Sequence, residues 1–534
     1  MANNPSPAST RRAGPVARGV AASAVIVAAG QLLSRVMGLL RVTSIASVFG
    51  AGGQVSSFNV ASTVPTMVYD LLLGGMVSAA LVPVLSEYVG RGDIEELSRV
   101  TSILLTLGVA FFAGIVAILE LAAPLLAILL GGGFQPELQR LTISLIRIIL
   151  PSLIFFCAWG IAVAVLYARQ QFIFPALAAA VFNLGVILAT VFIAPHVGIA
   201  ALSMGVVLGA FLQLAIVVPG LRGLRLRPRF EPRHPALRRI ILLYLPVIAS
   251  LVVSQLGIII DRNLASRTVD QAIAWMFNAT QLIQLPLGLV SVAIATATLP
   301  VLARLTDDPQ NVQFRRTLAG ALRLVLVLIV PAAVGLLVLA PEGVRLFLER
   351  GVFTPFDTSH VTRALLFYLP GLPFAAVDQP IVFAFYARKD TVTPVLVGIA
   401  GVGAYLLVGP LLAFVFHIGF IGLVIANSVQ LTTHCIIMWV LLERKVGSMA
   451  GLGLLTTVSK AMVAAGAMGL AAIAALAILR PLVPAGSLGQ ATLLLLAGSV
   501  AVGIYVLGLI ALRVEELTTL LNMIRSRLGR LAGA

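Results

Sequence analysis

The chain has 534 residues, of which 60% are hydrophobic and only 10% are charged. This composition excludes a soluble globular domain, and because apolar runs of about twenty residues recur along the whole length, it predicts a polytopic membrane protein. A net charge of +16 suggests nucleic-acid binding in a soluble protein. In a membrane protein it indicates basic cytoplasmic loops instead, so no nucleic-acid partner is expected.

Residues 1–18 are polar and basic and are predicted to form a disordered cytoplasmic tail. About fourteen apolar segments follow, and most reach the roughly 20 residues that cross a bilayer as a helix. The predicted fold class is therefore all-α, a polytopic membrane protein with about fourteen transmembrane helices. The segments are 19–48, 57–88, 100–130, 138–168, 173–194, 197–219, 239–264, 271–303, 317–340, 358–386, 391–415, 418–442, 455–479 and 488–511.

Basic residues are concentrated in alternate connections between these segments. The stretch 220–239 is the richest in arginine, whereas connections of the other set, such as Phe49–Ser56, carry few or no basic residues. The positive-inside rule then places both termini in the cytoplasm. We interpret the basic stretch as an orientation signal near a mid-chain hinge, with an anionic-lipid patch as the alternative. Residues 512–534 are predicted to form a basic amphipathic tail on the inner leaflet.

The sequence repeats itself on either side of this basic stretch. Leu150-Pro151 matches Leu369-Pro370, and Tyr167-Ala168-Arg169 matches Tyr386-Ala387-Arg388, in both cases 219 residues apart. A constant offset predicts two pseudo-symmetric six-helix lobes related by an axis along the membrane normal. The predicted domains are the lobes 19–220 and 239–445, the cytoplasmic linker 221–238 between them, and two further helices in 455–511.

The first apolar segment carries two arginines, Arg35 and Arg41, although a charge at bilayer depth costs at least about 2.5 kcal/mol. They lie about 120° apart around a helix and could line adjacent walls of one cavity. Gly38 between them leaves space for a ligand or a neighbouring helix. The alternative is that Arg41 snorkels to the interface and Arg35 pairs with a buried acid. Asp70 in the second segment is the expected partner of one of the two arginines.

Other charges within apolar segments have both a structural and a functional interpretation. Asp261-Arg262, near the outer end of the seventh segment, is either a local interface pair or part of a cavity. Arg147 is expected to pair with Glu120. Asp378, followed by Gln379-Pro380, is either a locally bonded acid at a kink or an ion-coupling site built with freed carbonyls. Asp261 is the second candidate for ion coupling.

Two parallel lobes with charges near the midplane are typical of a transporter that works by alternating access. The sequence contains no pattern of catalytic residues, no phosphate-binding glycine loop and no metal-ligand cluster, so neither an enzyme nor a cofactor is predicted. Cys157 and Cys435 both lie in apolar segments and indicate neither a disulfide framework nor a metal site.

Several motifs resemble those of the MurJ (MviN) family of lipid II flippases. Ser34-Arg35-Val36-Met37-Gly38-Leu39-Leu40-Arg41 resembles the first-helix motif of that family, and Asp261-Arg262-Asn263-Leu264-Ala265-Ser266 resembles a seventh-helix sequence. Tyr386-Ala387-Arg388-Lys389-Asp390 resembles the turn between the tenth and eleventh helices. The resemblance runs from about residue 20 to residue 450, and no single motif carries it alone.

The resemblance implies a fold of the MOP superfamily and the export of undecaprenyl-pyrophosphate-linked peptidoglycan precursor across the bacterial inner membrane. It also implies a cationic cavity for the head group, with Arg35, Arg41 and Arg262 as candidate contacts, and a groove for the lipid tail beside Leu454–Leu479 and Ser487–Ala511. The expected partners are the lipid-linked pyrophosphate substrate, membrane lipids and proteins of cell-wall synthesis.

Three positions depart from the family pattern. Val42 stands where an acid is usual, Tyr69-Asp70 where many members have an arginine, and Thr280-Gln281 where an Asp-Arg pair is usual. The predicted cavity is therefore less cationic than is typical, so either Arg262 and Arg147 substitute or the substrate differs. The alternatives are another MOP-type exporter, of lipid-linked polysaccharide or of drugs, and a non-transporting scaffold member of a cell-wall complex.

Overall fold

The computed structural model describes residues 15–306, 310–484 and 486–517. In this part of the chain every regular element is helical. The α-helices are α1 (Pro15–Phe49), α2 (Gly53–Tyr69), α3 (Val82–Gly90), α4 (Ile94–Gly131), α5 (Pro136–Ile149), α6 (Ser152–Ala168), α7 (Ile173–Leu188), α8 (Ala194–Val197), α9 (Ala200–Val217), α10 (Pro235–Ser266), α11 (Ala272–Pro286), α12 (Ala293–Arg304), α13 (Val312–Leu348), α14 (Pro355–Tyr368), α15 (Leu372–Ala387), α16 (Val392–Pro410), α17 (Phe420–Val446), α18 (Leu454–Leu479) and α19 (Ser487–Ala511).

Each of the fourteen predicted segments is helical, which confirms the predicted fold class of a multi-pass membrane protein. Among the described residues, twelve helices are long and apolar enough to cross a membrane. The predicted segments 57–88 and 239–264 are also helical but do not belong to that set.

The predicted tails are only partly described. Residues 1–14 and 518–534 lie outside the described residues, so the tail predictions there stay predictions. The prediction that disorder extends to residue 18 is wrong, because α1 already begins at Pro15. Proline at the first position of a helix is favourable, since its missing N–H would have no intrahelical partner there and its φ is already helical.

Among the described residues, five π-helical turns interrupt the long helices. A π turn inserts one extra residue into the helical ladder and often lies at a functional site. They span Asp70–Gly74, Val77–Leu81, Ala189–Ile193, Leu287–Val292 and Leu411–Val415.

The local structure recurs with the offset seen in the sequence. Left-handed residues end matching turns at Gln170 and Lys389, with φ of 58° and 60°. The same turns are closed by equivalent backbone hydrogen bonds, from the Gln171 amide to Leu166 and from the Asp390 amide to Phe385. These matches support two copies of one fold unit. The lobe boundaries themselves stay a prediction.

The packing of the helices divides the chain into two compact units. Unit 1 comprises residues 1–41, 65–120 and 148–248, and unit 2 comprises residues 42–64, 121–147 and 249–534. Each unit is described by itself below.

In unit 1, close packing between α7 and α9 depends on glycine. A Cβ on Gly185 would lie 2.5 Å from the Cα of Gly209, and one on Gly209 would lie 2.6 Å from the carbonyl oxygen of Phe182. The two backbones therefore approach more closely than any larger residue allows.

The basic segment after α9 is an extended strap that lies on α4. The backbone amides of Arg225, Arg227 and Arg229 donate to the hydroxyl oxygens of Ser98, Ser102 and Thr106 at 3.4, 3.1 and 3.0 Å. The ion pair Arg99–Glu231, at 2.8 Å, holds the C-terminal part of the strap to α4, and Arg239 at the beginning of α10 pairs with Glu87 on α3 at 2.7 Å.

In unit 2, a buried cluster joins α12, α13, α15 and α17 through side chains such as Leu302, Phe314, Phe385 and Met438. At the nearby turn between α15 and α16, Asp390 contacts the Lys445 ammonium and accepts two hydrogen bonds from Thr393. Burial alone would raise the pKa of Asp390, but these contacts outweigh it and lower the pKa to about 2. The carboxylate therefore stays ionised and fastens this turn to the end of α17.

Candidate functional site

In unit 1, α1 contacts α7 through small residues one helical turn apart. A Cβ on Gly30 would lie 2.5 Å from the carbonyl oxygen of Ala176, and one on Gly38 would lie 3.8 Å from the amide nitrogen of Asn183. The Asn183 amide also donates to the carbonyl of Ser34 at 3.3 Å. The space at Gly38 is therefore taken up by a neighbouring helix, as one of the two sequence interpretations expected.

Arg41 lies on this same face, because seven residues separate it from Ser34 and seven residues complete almost two turns. Its side chain is partly buried. Within residues 15–306, 310–484 and 486–517, Arg41 forms no hydrogen bond or ion pair. Arg35 is also partly buried and lies about 120° away around the axis. A partly buried guanidinium with five unused N–H donors is ready for an anion.

Asp70 begins a π-helical turn and does not pair with either arginine. In the described residues its carboxylate has no hydrogen-bond or ion-pair partner, so the predicted pairing with Arg35 or Arg41 is wrong. The physical reason lies in the packing of its neighbours. Tyr69 contacts the rings of Phe156 and Trp159 on α6, and Tyr244 on α10 donates to the carbonyl of Leu71 at 2.6 Å. These contacts hold the turn against α6 and α10, whereas Gly30, Ser34 and Gly38 direct α1 to α7.

In unit 2, Asp261 and Arg262 line a cavity of about 370 Å³ between α10, α16 and α17. Asp261 accepts a hydrogen bond of 2.7 Å from the hydroxyl of Tyr405, and its other oxygen lies 4.0 Å from the Arg262 guanidinium. Asn427 and Gln430 complete the polar lining. Of the two sequence interpretations, the geometry favours the cavity role for this pair.

Two buried polar atoms on α10 have no hydrogen-bond partner within the described residues. They are Nε of Arg262 and Oε1 of Gln255. Seven residues separate these two positions, so they lie on one face of α10. Buried polar groups are normally paired, and unpaired ones indicate a site for water, an ion or a ligand.

Asp378 contacts His434 on the facing helix. The Nδ1 atom of His434 lies 3.0 Å from a carboxylate oxygen of Asp378, and their side chains are 19% and 13% exposed. Pro380 lies inside α15, two residues after the acid. This is the arrangement of a locally bonded acid beside a proline, one of the two sequence interpretations.

A long apolar groove follows α13, α18 and α19 in unit 2 and has a volume of about 990 Å³. Its lining is almost wholly apolar, and the hydroxyl of Tyr505 is turned away to the carbonyl of Val327 at 2.7 Å. Glycines deepen the groove, because a Cβ on Gly343 or Gly498 would meet nothing within 4 Å. The sequence prediction placed a tail groove beside α18 and α19, where this groove lies; representative lining residues are Leu328, Leu339, Met468, Leu494 and Val502.

Ion pairs mark both ends of this groove. Near the beginning of α13, Arg323 lies 2.9 Å from Glu516, and Glu516 is adjacent to the groove residue Leu517. Near the other end, buried Glu342 binds Arg345 and Arg480. The groove is therefore apolar along its length and has charged residues at its two ends. A bilayer has the same arrangement, with an apolar core between two polar interfaces.

The sequence interpretation missed several of these residues. Asn427, Gln430 and His434 lie on one face of α17 at intervals of three and four residues, a polar stripe that the sequence contains. The sequence does not single out Tyr405 or Tyr505 as functional residues, because tyrosine is common in membrane helices. The predicted pair of Arg147 and Glu120 falls in two different units and stays a prediction.

Comparison with known proteins identifies the family. The family model described as lipid II flippase MurJ matches residues 45–490. This chain belongs to the MurJ family. The probable lipid II flippase MurJ of Vibrio cholerae serotype O1 is 30% identical over 423 residues, which cover 76% of this chain and 80% of the relative. The lipid II flippase MurJ of Burkholderia cenocepacia is 30% identical over 427 residues, covering 78% and 82%.

Solved structures share the fold. The structure titled "Lipid II flippase MurJ, inward closed conformation" matches with a TM-score of 0.75 at 23% identity, covering 91% of this chain and 99% of that one. An inward-facing multidrug resistance MATE family transporter of the MOP superfamily matches with a TM-score of 0.67 at 15% identity, covering 77% and 95%. Membership of the MurJ family confirms the resemblance expected from the helix motifs.

Proposed function

We propose that this protein is an alternating-access flippase that carries a polyprenyl-diphosphate-linked cell-wall precursor, lipid II, from the inner to the outer leaflet of the bacterial cytoplasmic membrane. The observation that carries the proposal is the apolar groove of unit 2. Along α13 its lining runs from Val327 to Phe347, which is about 30 Å at 1.5 Å per residue. The hydrocarbon core of a bilayer is also about 30 Å thick. A polyprenyl tail fits such a groove, whereas a drug with several polar groups does not.

The head group is expected to contact the intramembrane arginines. A diphosphate is a dense anion, and guanidinium groups bind phosphate oxygens through paired hydrogen bonds. Arg41 has its donors unused, which supports this role. We assign Arg35, Arg41 and Arg262 to phosphate recognition, and we assign Gly38 to keeping α1 close to α7. Asp70 limits the positive potential of the empty protein.

Transport of this kind needs no covalent step, so we propose a carrier and not an enzyme. Both termini lie in the cytoplasm in this proposal, because the arginines of the strap on α4 and of the turns after α6 and α15 then all lie on the inner side. In that orientation α13 runs outward, and the Glu342–Arg345–Arg480 cluster lies at the outer surface. Proteins of cell-wall synthesis remain the expected partners.

The proposed function is tested by expressing the chain in a strain depleted of its own lipid II flippase. We expect the wild-type chain to restore growth and head-group exposure on the outer leaflet. An Arg41→Ala variant is expected to restore neither. Growth with Arg41→Ala as with the wild type would contradict the role of Arg41 in phosphate recognition, and a wild-type chain that restores neither growth nor exposure would favour a non-transporting scaffold. Drug resistance without restored growth would favour a drug exporter.

The tail groove is tested by filling it. Gly498→Leu adds a side chain where a Cβ meets no other atom, so the helix should be kept or slightly stabilised, since glycine disfavours a helix by about 1 kcal/mol. We expect outward transport to fall about tenfold. The matched control is Gly503→Leu, also on α19 and also open, but outside the groove lining. Equal activity of the two variants would contradict the groove assignment.

A further inference from the structure

Two contacts in unit 2 join the predicted lobes, and they repeat with the offset of the sequence repeat. The backbone amide of Gly133, after α4, donates to the hydroxyl oxygen of Ser266 at the end of α10 at 3.0 Å. The backbone amide of Val352, after α13, donates to the carbonyl oxygen of Ser47 near the end of α1, also at 3.0 Å. The two donors are 219 residues apart, and so are the two acceptors. Each turn therefore lies on the first helix of the opposite lobe.

The local structure around the two contacts matches as well. The hydroxyl groups of Ser47 and Ser266 each donate to the carbonyl oxygen of the residue three positions earlier, at 2.9 and 2.8 Å. Phe134 and Phe353, both buried, close the two turns with the same amide-to-carbonyl hydrogen bond over three residues, at 3.0 and 3.1 Å. The two contacts are therefore a reciprocal pair, in which each lobe supplies one turn and one helix end.

Glycine allows both turns to come this close to the opposite helix. A Cβ on Gly133 would lie 2.4 Å from the amide nitrogen of Arg267, and one on Gly351 would lie 2.0 Å from the carbonyl oxygen of Ser47. Gly351 also has a φ of +58°, which any other residue adopts only with strain. A side chain at either position fits only if the turn and the helix move apart.

The packing of the chain reflects these contacts. Residues 42–64 and 121–147 belong to the first lobe by sequence, but they pack with the second lobe in unit 2. Across the same surface, the Asn263 amide donates to the carbonyl oxygens of Ile128 and Leu129 at 3.2 and 2.9 Å. With both termini in the cytoplasm, all of these residues lie at the outer ends of their helices. In this structure the two lobes therefore adhere at their outer ends.

We propose that the two reciprocal contacts, of Gly133 with Ser266 and of Val352 with Ser47, are the outer gate of the flippase and break together when the lipid leaves for the outer leaflet. This rests on the proposed function and its orientation. In an alternating-access carrier the lobes separate on one side while the other side closes. A neutral hydrogen bond changes an equilibrium about two- to tenfold, so two such bonds hold the gate closed without making it permanent. Because the pseudo-twofold axis relates the two contacts, a motion that separates the lobes evenly lengthens both.

The test measures the distance between the outer ends of the lobes in lipid nanodiscs without substrate. Spin-labelled cysteines replace Arg140 on α5 and Ser359 on α14, which are exposed and 219 residues apart. In this background alanine replaces the two buried cysteines, Cys157 and Cys435. Double electron–electron resonance then gives the ratio of separated to joined molecules. We expect the joined form to dominate in the wild type, and a wild type that is mainly separated would overturn the gate.

The two glycines provide the main variants. Gly133→Ala and Gly351→Ala are each expected to raise the ratio of separated to joined molecules at least tenfold, because the methyl group fits only when the contact is broken. Wild-type ratios in both variants would overturn the gate, and a shift in only one of them would overturn the reciprocal pair.

Two matched controls add the same methyl group without a contact between the lobes. Gly198→Ala, at an outer turn, has a φ of +62° and nothing within 4 Å of its Cβ, so it repeats the backbone strain of Gly351→Ala. Gly52→Ala also has nothing within 4 Å of its Cβ and is the control for Gly133→Ala. Both controls should keep the wild-type ratio. Shifts in the controls as large as those in the gate variants would overturn the proposal.

Ser266→Ala covers the case in which the glycine variants fail to fold. It removes the acceptor of the Gly133 amide and adds no atom, so we expect the ratio to rise about fivefold, as for the loss of one hydrogen bond. Its matched control is Thr268→Ala, because the Thr268 hydroxyl donates to a carbonyl three residues earlier, as Ser266 does. A wild-type ratio in Ser266→Ala, or an equal rise in Thr268→Ala, would overturn the gate.

The distance measurement separates the gate from the transport function, because it needs no lipid. Unchanged distances in a chain that restores growth of the flippase-depleted strain would overturn the gate and leave the flippase function intact. Distances that respond as expected in a chain that restores no growth would support the gate and overturn the proposed function.

Discussion

Arg41 and Asp70 in unit 1 differ from Asp261 and Asp378 in unit 2 in whether a side chain of the protein satisfies the charge. In unit 1, Arg41 and Asp70 each lack an ion-pair partner among the described residues. In unit 2, Asp261 binds Tyr405 and Asp378 binds His434. Both units are apolar helical assemblies, so a difference in the surrounding medium does not explain why these charges are paired in one unit and unpaired in the other. An unpaired buried charge raises the free energy of the empty protein, and only the binding of a ligand can offset this cost.

The comparison separates two kinds of functional residue. A paired charge contributes to stability, because its partner is already present. An unpaired charge contributes nothing favourable to folding and is expected to matter only when a ligand is bound. Stability and transport should therefore respond differently to substitution in the two units.

The largest expected effect follows from Arg41→Ala. We expect outward transport to be lost, while the melting temperature in detergent stays the same or rises, because the desolvation cost of the guanidinium is removed with it. Arg41→Lys should recover only part of the transport, since an ammonium cannot form the paired hydrogen bonds of a guanidinium. A clear fall in melting temperature would show that Arg41 has a structural partner and would remove the contrast between the units.

The second effect concerns how α1 is held in place. Gly30→Ala puts a methyl group 2.5 Å from a backbone oxygen of α7, so something must shift, and we expect a loss of about 3 kcal/mol. Gly38→Ala is the matched control, because its Cβ would lie at an ordinary 3.8 Å from Asn183. Thermal unfolding of the two variants provides the measurement. Similar melting temperatures would mean that α1 is free of α7 at Gly30.

The smallest effect tests the paired charge of unit 2. Tyr405→Phe removes the hydrogen bond to Asp261, and bonds to charged groups contribute about 1.5–3 kcal/mol. Tyr505→Phe, which removes a bond of equal length to the carbonyl of Val327, should cost only about 1 kcal/mol. The measurement that tests this prediction is the free energy of unfolding of each variant. Equal costs would mean that the hydrogen bond from Tyr405 to Asp261 is no stronger than one to a backbone carbonyl.

The sequence could predict the helices, because twenty-residue apolar segments have one stable form in a bilayer. It also contained the repeat, since Leu150-Pro151 and Leu369-Pro370 interrupt helices at equivalent places. It could not predict which charges pair. Asp70 and Arg41 are on neighbouring segments and look like partners, yet rings of α6 hold the turn at Asp70 elsewhere. Asp378 and His434 are 56 residues apart, and only the packing of α15 on α17 brings them together.

The hydrogen bonds between the strap and α4 restrict the length of the strap. Hydroxyls four residues apart on a helix are about 6 Å apart, and alternate amides of an extended chain are about 6.6 Å apart. The two spacings are nearly equal, so three alternate amides of the strap meet three hydroxyls that are four residues apart on α4. Inserting one residue between Arg225 and Arg229 would break this match by turning the next amide away from the helix, whereas inserting two would restore its direction. We therefore expect this segment to tolerate changes of length by two residues but not by one.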